Sequence, residues 1–131
     1  MDKSELHKLQ AYLRRTFDNK LLKVVPHSAD ADRAEVVLGE RRLANLSVDD
    51  EDGDRSFAFE MRIPVERPAL EAYLRLLFDN ENLKIVPRMK KSDSVELNSG
   101  SDFLGVVSAD DPKGKSFTLQ MAILDFDLED V

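Results

Sequence analysis

The densest group of reactive side chains is the acidic segment Asp49–Asp54, which reads DDEDGD. Carboxylate oxygens are the ligands that Ca²⁺ prefers. An EF-hand loop with Gly53 at its sixth position would need oxygen ligands at Val48 and Phe59, and neither side chain supplies one. The segment therefore predicts an acidic hairpin turn and no metal site, with weak divalent-cation binding as an alternative.

The residue types needed for catalysis are sparse. The chain has no cysteine, and its two histidines, His7 and His27, lie far apart in the sequence. A nucleophile–base–acid set needs partners that the sequence does not supply. We expect a chain that is not an enzyme, with no catalytic residues, no cofactor and no cofactor-binding residues.

Two groups of basic residues are candidates for contacts to phosphate. The first group is Arg88, Lys90 and Lys91, and the second contains four residues, Arg14, Arg15, Lys20 and Lys23. They make a nucleic-acid-binding module the alternative function. The net charge of −7 opposes nonspecific binding to a polyanion, and no aromatic residue interleaves Arg88, Lys90 and Lys91. A solvated surface is the favoured interpretation, and nucleic acid is not the expected partner.

The C-terminal segment Leu124–Val131 reads LDFDLEDV and alternates apolar with acidic residues. This pattern predicts that the segment extends the last strand and covers the core. The alternative is docking on a partner by strand addition, which makes Leu124, Phe126 and Leu128 candidate partner contacts. With no reactive constellation, the leading hypothesis is a noncatalytic protein-interaction module. Its biological role and its protein partner are unknown, and the chain is expected to be a monomer or a homodimer.

The elements that carry these residues occur twice. The segment LQAYLRRTFDN begins at Leu9, and LEAYLRLLFDN begins 61 residues later at Leu70. The same offset places LKVVP on LKIVP, and SFAFEMRI matches SFTLQMAI near the end of each copy. Such self-similarity indicates a tandem duplication. We predict two α+β repeats, residues 1–64 and residues 65–131, the second with an acidic C-terminal tail.

Each repeat begins with a helix. Apolar residues at spacings of three and four, from Leu6 to Phe17, form one stripe, and Asp2 with Glu5 resembles a capping box. Asn19 and Asn80 are the residues expected to adopt the left-handed conformation that ends each helix.

Four short strands follow the helix in each repeat. The last strand alternates apolar and polar residues, as in Phe57, Phe59, Met61 and Ile63. The alternation indicates an antiparallel sheet with one buried face. Asp111-Pro112-Lys113-Gly114 is typical of a type I turn before that strand. Each repeat should be a helix packed on a four-stranded antiparallel meander, and the two should form a pseudo-twofold pair.

These residues resemble a small family, mostly alphaproteobacterial, catalogued only as a domain of unknown function. The resemblance rests on LQAYLRRTF, DDEDGDRSF and SFTLQMAILDFDLED and covers nearly the whole chain twice. The first repeat departs from the closing acidic motif after Ile63. The resemblance implies a small bacterial protein of the cytoplasm and implies no activity. The absence of cysteine, of a signal peptide and of a long apolar run also favours a cytoplasmic protein without membrane contact.

Overall fold

The computed structural model describes residues 1–50 and 53–129 and confirms an α+β fold with antiparallel strand pairing. The described residues form two α-helices and eight strands, in the order α1 (Lys3–Thr16), β1 (Leu22–Pro26), β2 (Arg33–Leu38), β3 (Arg41–Asp49), β4 (Ser56–Ile63), α2 (Leu70–Phe78), β5 (Leu83–Arg88), β6 (Lys91–Ser99), β7 (Asp102–Ala109) and β8 (Phe117–Leu124). A 3₁₀ turn at Arg67–Ala69, which contains Pro68, leads into α2. A second 3₁₀ turn, at Asp125–Leu128, follows β8.

The chain divides into two compact units. The first unit contains residues 1–60 and 122–131, and the second contains residues 61–121. In the first unit β1 pairs with β2, β2 with β3 and β3 with β4, each antiparallel. In the second unit the ladders join β5 to β6, β6 to β7 and β7 to β8 in the same way. The compact units thus differ from the predicted repeats, because the boundary lies after residue 60 and residues 122–129 belong to the first unit.

The core of the first unit lies between α1 and one face of its sheet. Leu9, Leu13 and Phe17 of the apolar stripe are buried, and the ring of Phe17 lies 6.0 Å from that of Phe59. The capping box is confirmed: the Asp2 carboxylate accepts the N–H of Glu5 at 2.8 Å, and the Glu5 side chain accepts the N–H of Asp2. In the second unit α2 buries an equivalent stripe, which includes Leu70, Leu74 and Phe78.

The prediction for the helix ends is wrong by one residue. The left-handed conformation belongs to Asp18 and Asp79, with φ of 52° and 53°. The next residue, Asn19, donates its N–H to the Arg14 carbonyl, while Asp18 bonds the Arg15 carbonyl, which together form a Schellman motif.

The side chains of Asn19 and Asn80 instead bond the backbone of the turn that follows each helix. Asn19 Oδ1 accepts the N–H of Leu21, and Asn80 Oδ1 accepts the N–H of Asn82, each at 2.9 Å. These buried asparagines therefore shape the turn into the next strand, and the residue before each supplies the positive φ.

The turn predicted before β8 is confirmed. The loop that joins β7 to β8 is, however, longer than a three-residue hairpin loop. The N–H of Gly114 bonds the Asp111 carbonyl at 3.1 Å, and Gly114 has a positive φ. The Asp110 carboxylate accepts the hydroxyls of Ser116 and Thr118, at 2.7 and 2.6 Å. The whole connection between β7 and β8 is residues 110–116.

The C-terminal segment does not extend the last strand beyond Leu124. The chain turns into the second 3₁₀ turn, where the Asp127 carboxylate accepts the N–H of Leu124 at 2.9 Å. Leu128 is only 2% exposed, so the segment does contribute to the core of the first unit. The turn explains this burial, because it brings the side chain of Leu128 back towards α1. Asp130 and Val131 lie outside the described residues.

Candidate interaction surfaces

The outer edge of the sheet in the first unit is bonded by side chains of α1. Among the described strands, β1 has one neighbour, β2. The N–H of Val24 donates to Gln10 Oε1 at 3.0 Å, and Arg14 Nε donates to the Leu22 carbonyl at 2.7 Å. The helix therefore satisfies backbone groups that an edge strand would otherwise offer to another chain.

The second unit repeats this arrangement on β5. The N–H of Ile85 donates to Glu71 Oε2 at 3.0 Å, and Arg75 Nε donates to the Leu83 carbonyl at 2.8 Å. Glu71 and Arg75 also form an ion pair at 3.0 Å. Because both units use the same two helix positions, Arg14 and Arg75 have a structural role, and a strand added at these backbone positions would have to displace these bonds.

The three candidate partner contacts of the C-terminal segment differ in their exposure to solvent. Leu128 is buried, whereas Leu124 and Phe126 are 42% and 62% exposed. The turn that carries them packs against α1, and the Asp127 carboxylate lies near Tyr12. Burial, assisted by this carboxylate, raises the pKa of the Tyr12 hydroxyl. The structure therefore leaves two of the three candidates accessible and uses the third as an anchor.

The basic run of the second repeat does not form a uniform surface. Arg88 is half-buried, and its Nη1 donates to Ser94 Oγ at 2.9 Å. Lys90 and Lys91 are exposed, and Lys90 has a positive φ of 65°. Only the two lysines thus extend fully into solvent at the site proposed for phosphate contacts.

The acidic segment is described in part, because Glu51 and Asp52 lie outside the described residues. Gly53 donates its N–H to the Asp50 carbonyl at 3.1 Å, as in the equivalent turn of the second repeat. Within residues 1–50 and 53–129 no group of three or more histidine, aspartate or glutamate side chains is placed to hold a metal ion. Arg55 is a cation close to the Asp50 charge of this segment.

Arg55 joins the acidic segment to the start of α1. Its Nε and Nη2 donate to the two carboxylate oxygens of Glu5 at 2.6 and 2.9 Å, and its guanidinium lies over the Phe57 ring. The hydrogen bonds from Arg55 lower the pKa of Glu5. Bonding to Glu5, with the charges of Asp32 and Asp50, raises the pKa of Arg55. The pair joins Arg55, the residue that follows the acidic segment, to α1.

Replacing Glu5 with glutamine is expected to lower the free energy of unfolding by about 0.5–1 kcal/mol at neutral pH, because both side chains of the pair are partly exposed to solvent. Glutamine can also form the capping box, so the loss of stability measures the contribution of the Glu5 charge. The folded-state pKa of Glu5 is depressed below 4.5. The contribution is therefore complete above that pH and is lost as the pH falls through the folded-state pKa. Urea denaturation across this range measures it.

The control for this experiment is Glu40→Gln, at an exposed position. It should change the free energy of unfolding by less than about 0.5 kcal/mol. A Glu5→Gln deficit that stays the same from neutral to strongly acid pH would contradict a role for the Glu5 charge.

The histidines are not brought together into a site. His7 is exposed on α1, and His27 follows β1, where its Nδ1 accepts the N–H of Ala29 at 3.1 Å. They belong to separate elements of the first unit.

Sequence reasoning missed a group of exposed apolar side chains in the second unit. Leu76, Met89 and Phe103 are all largely in solvent. The available signal was the repeat itself, because the aligned residues of the first repeat are polar or charged, namely Arg15, Ser28 and Arg42.

Comparison with known proteins gives a family and no activity. A family model described as a protein of unknown function (DUF3126) matches the chain twice, at residues 5–65 and 66–127. No curated protein and no solved structure matches the chain. Among the described residues, neither helix is long and apolar enough to cross a membrane.

Proposed function

The chain belongs to the DUF3126 family of proteins of unknown function, in two tandem copies, and we propose that it is a noncatalytic protein-interaction module. The observation that carries the proposal is Phe126, a large aromatic side chain that is 62% exposed on a turn anchored by the buried Leu128. Aromatic side chains that fill a pocket on a partner supply much of the binding energy of protein interfaces.

The anchoring of the turn matters for affinity. Leu128 is 2% exposed, and the Asp127 carboxylate caps the N–H of Leu124 at 2.9 Å. A side chain presented by such a turn loses less conformational freedom on binding than one on a loose tail. Leu124 is exposed on the same short segment, so the two apolar side chains supply neighbouring contacts.

The mode of contact follows from the sheet edges. Backbone groups of β1 and β5 already bond Gln10, Arg14, Glu71 and Arg75. A partner that adds a strand there must displace these bonds. Docking through the side chains of Leu124 and Phe126 displaces none of these hydrogen bonds. We therefore favour contact through a surface patch over strand addition.

The test is affinity purification with mass spectrometry, using tagged protein at native expression level. Phe126→Ala should reduce the recovery of a specific partner by about 30-fold, the loss that corresponds to a hot-spot residue. The control is Leu21→Ala, which removes an apolar side chain that is 70% exposed on another segment. It should leave recovery unchanged. Deletion of the segment is a poor variant, because it removes Leu128 from the core.

Three results would overturn the proposal. In the first, the wild-type protein recovers no specific partner. In the second, Phe126→Ala and Leu21→Ala behave alike. In the third, the recovered material is nucleic acid that is released steeply with salt, which would establish the alternative of a nucleic-acid-binding module.

A further inference from the structure

A cationic groove runs along α1 where the helix lies beside β1. Two adjoining hollows, of about 160 and 380 Å³, share His7 and Gln10 as lining residues. One carboxylate, from Asp18, lines them together with four cationic side chains, those of Lys3, Arg14, Arg15 and Lys20. In a chain with a net charge of −7, this concentration of positive charge marks a place for an anionic ligand.

The charge of the groove is not a requirement of the fold. The second repeat packs a shorter helix, Leu70–Phe78, beside its edge strand with a different set of side chains. It has one added cation, Arg67 in place of Leu6. Its residues at the positions of Lys3, Gln10, Arg15 and Lys20 are Pro64, Glu71, Leu76 and Glu81. A feature that one repeat has and the other lacks is free to serve binding.

Two guanidinium groups line the groove, and a hydrogen bond holds one of them, Arg14, in place before any ligand arrives. Arg14 Nε bonds the Leu22 carbonyl at 2.7 Å, and the Arg15 guanidinium lies 6.0 Å from the centre of the Tyr12 ring. Guanidinium groups bind carboxylates and phosphates through paired hydrogen bonds, and prior positioning lowers the entropic cost of doing so.

The uncharged residues that line the groove indicate which class of anionic ligand fits it. Leu6, Ala11 and Val24 add apolar surface, and no aromatic side chain is among the described residues that line the groove. Single-stranded nucleic acid relies on aromatic stacking, and the net charge of the chain repels a long polyanion. A short acidic peptide with an apolar side chain matches both the charged and the apolar lining.

We propose that this groove binds an acidic peptide segment of a partner protein. Carboxylates of the segment contact Lys3, Arg15 and Lys20, and an apolar side chain packs beside Leu6 and Val24. The inference rests on the proposed protein-interaction function for the class of ligand, but it uses a surface that does not contain Phe126.

The test is fluorescence anisotropy on the purified full chain with a labelled peptide of about ten residues, glutamates on both sides of one leucine, which spans about 33 Å when extended. The variant carries Gln10→Glu, Arg15→Leu and Lys20→Glu, which place residues of the second repeat at the same positions. The matched control carries Lys113→Glu and Lys115→Glu, an equal change of net charge at exposed positions of the other unit. Lys3→Glu with Lys20→Glu is a second variant confined to exposed side chains.

We expect saturable binding at about 0.1 M salt, where charges act over about 10 Å. Affinity should fall about tenfold or more in both groove variants and stay within about twofold in the control. Absence of binding by the wild-type chain, or an equal loss in the control, would overturn the inference. Tighter binding of an oligothymidine of the same length would overturn it in favour of nucleic acid. Because these are purified components, failure here leaves the Phe126 result standing, and the reverse also holds.

Discussion

Replacing Phe17 with alanine is expected to lower the free energy of unfolding by about 4 kcal/mol, since truncating a buried phenylalanine loses its apolar burial and leaves a cavity. Phe17 is fully buried at the end of α1, and its ring contacts Phe59 on β4. The packing that is lost lies between α1 and the sheet of the first unit. Urea denaturation followed by circular dichroism measures it.

The matched control is Phe126→Ala, the same chemical change at a side chain that is 62% exposed. It should cost less than about 0.5 kcal/mol, because little burial is lost. Equal losses in the two variants would contradict the placement of one ring in the core and the other in solvent. The control also establishes that Phe126→Ala is folded when it is used to test partner binding.

Comparing the repeats made the elements predictable. A helix stripe or an alternating strand that occurs twice at one spacing is set by local periodicity, which a sequence reports directly. The capping box at Asp2 and Glu5 is equally local, and the structure confirms it. The turn at Asp111–Gly114 was found for the same reason.

Features that depend on distant residues were not predictable. Gln10 and Arg14 look like ordinary polar residues of a helix, and only the fold brings them onto the edge of β1. The left-handed residue of each helix end was misplaced by one position, because asparagine and aspartate both tolerate that conformation. The i to i−4 hydrogen bonds of α1 continue to Phe17, and the residue that follows, Asp18, has the left-handed conformation.

The candidate site shows the same limit. The alternation of Leu124, Phe126 and Leu128 predicts a strand, with all three side chains on one face. The structure separates them, because a 3₁₀ turn buries Leu128 and leaves Phe126 exposed. The identity of the apolar residues was thus visible in the sequence, whereas which of them serves the core depended on packing against α1.

Replacing Gly105 with alanine is expected to lower the free energy of unfolding by about 3 kcal/mol, at the upper end of the cost of overpacking. Gly105 lies inside β7, and a methyl group there would approach the backbone oxygen of Gln120 to 2.5 Å and Met121 Cγ to 2.7 Å. A side chain can rotate away from such a clash, but the carbonyl belongs to the neighbouring strand β8. The two strands must therefore move apart. Thermal and urea denaturation measure the effect.

The first repeat offers the reciprocal experiment, since its aligned residue is Ala44, which is buried in β3. Ala44→Gly removes a methyl group without a clash and should cost only about 0.5–1 kcal/mol, mainly through the greater freedom of glycine in the unfolded chain. A Gly105→Ala variant that is no less stable than Ala44→Gly would contradict the close approach of β7 and β8. A much larger loss at Gly105 would show that the two repeats, although they share one sequence pattern, have fixed different strand spacings at this position.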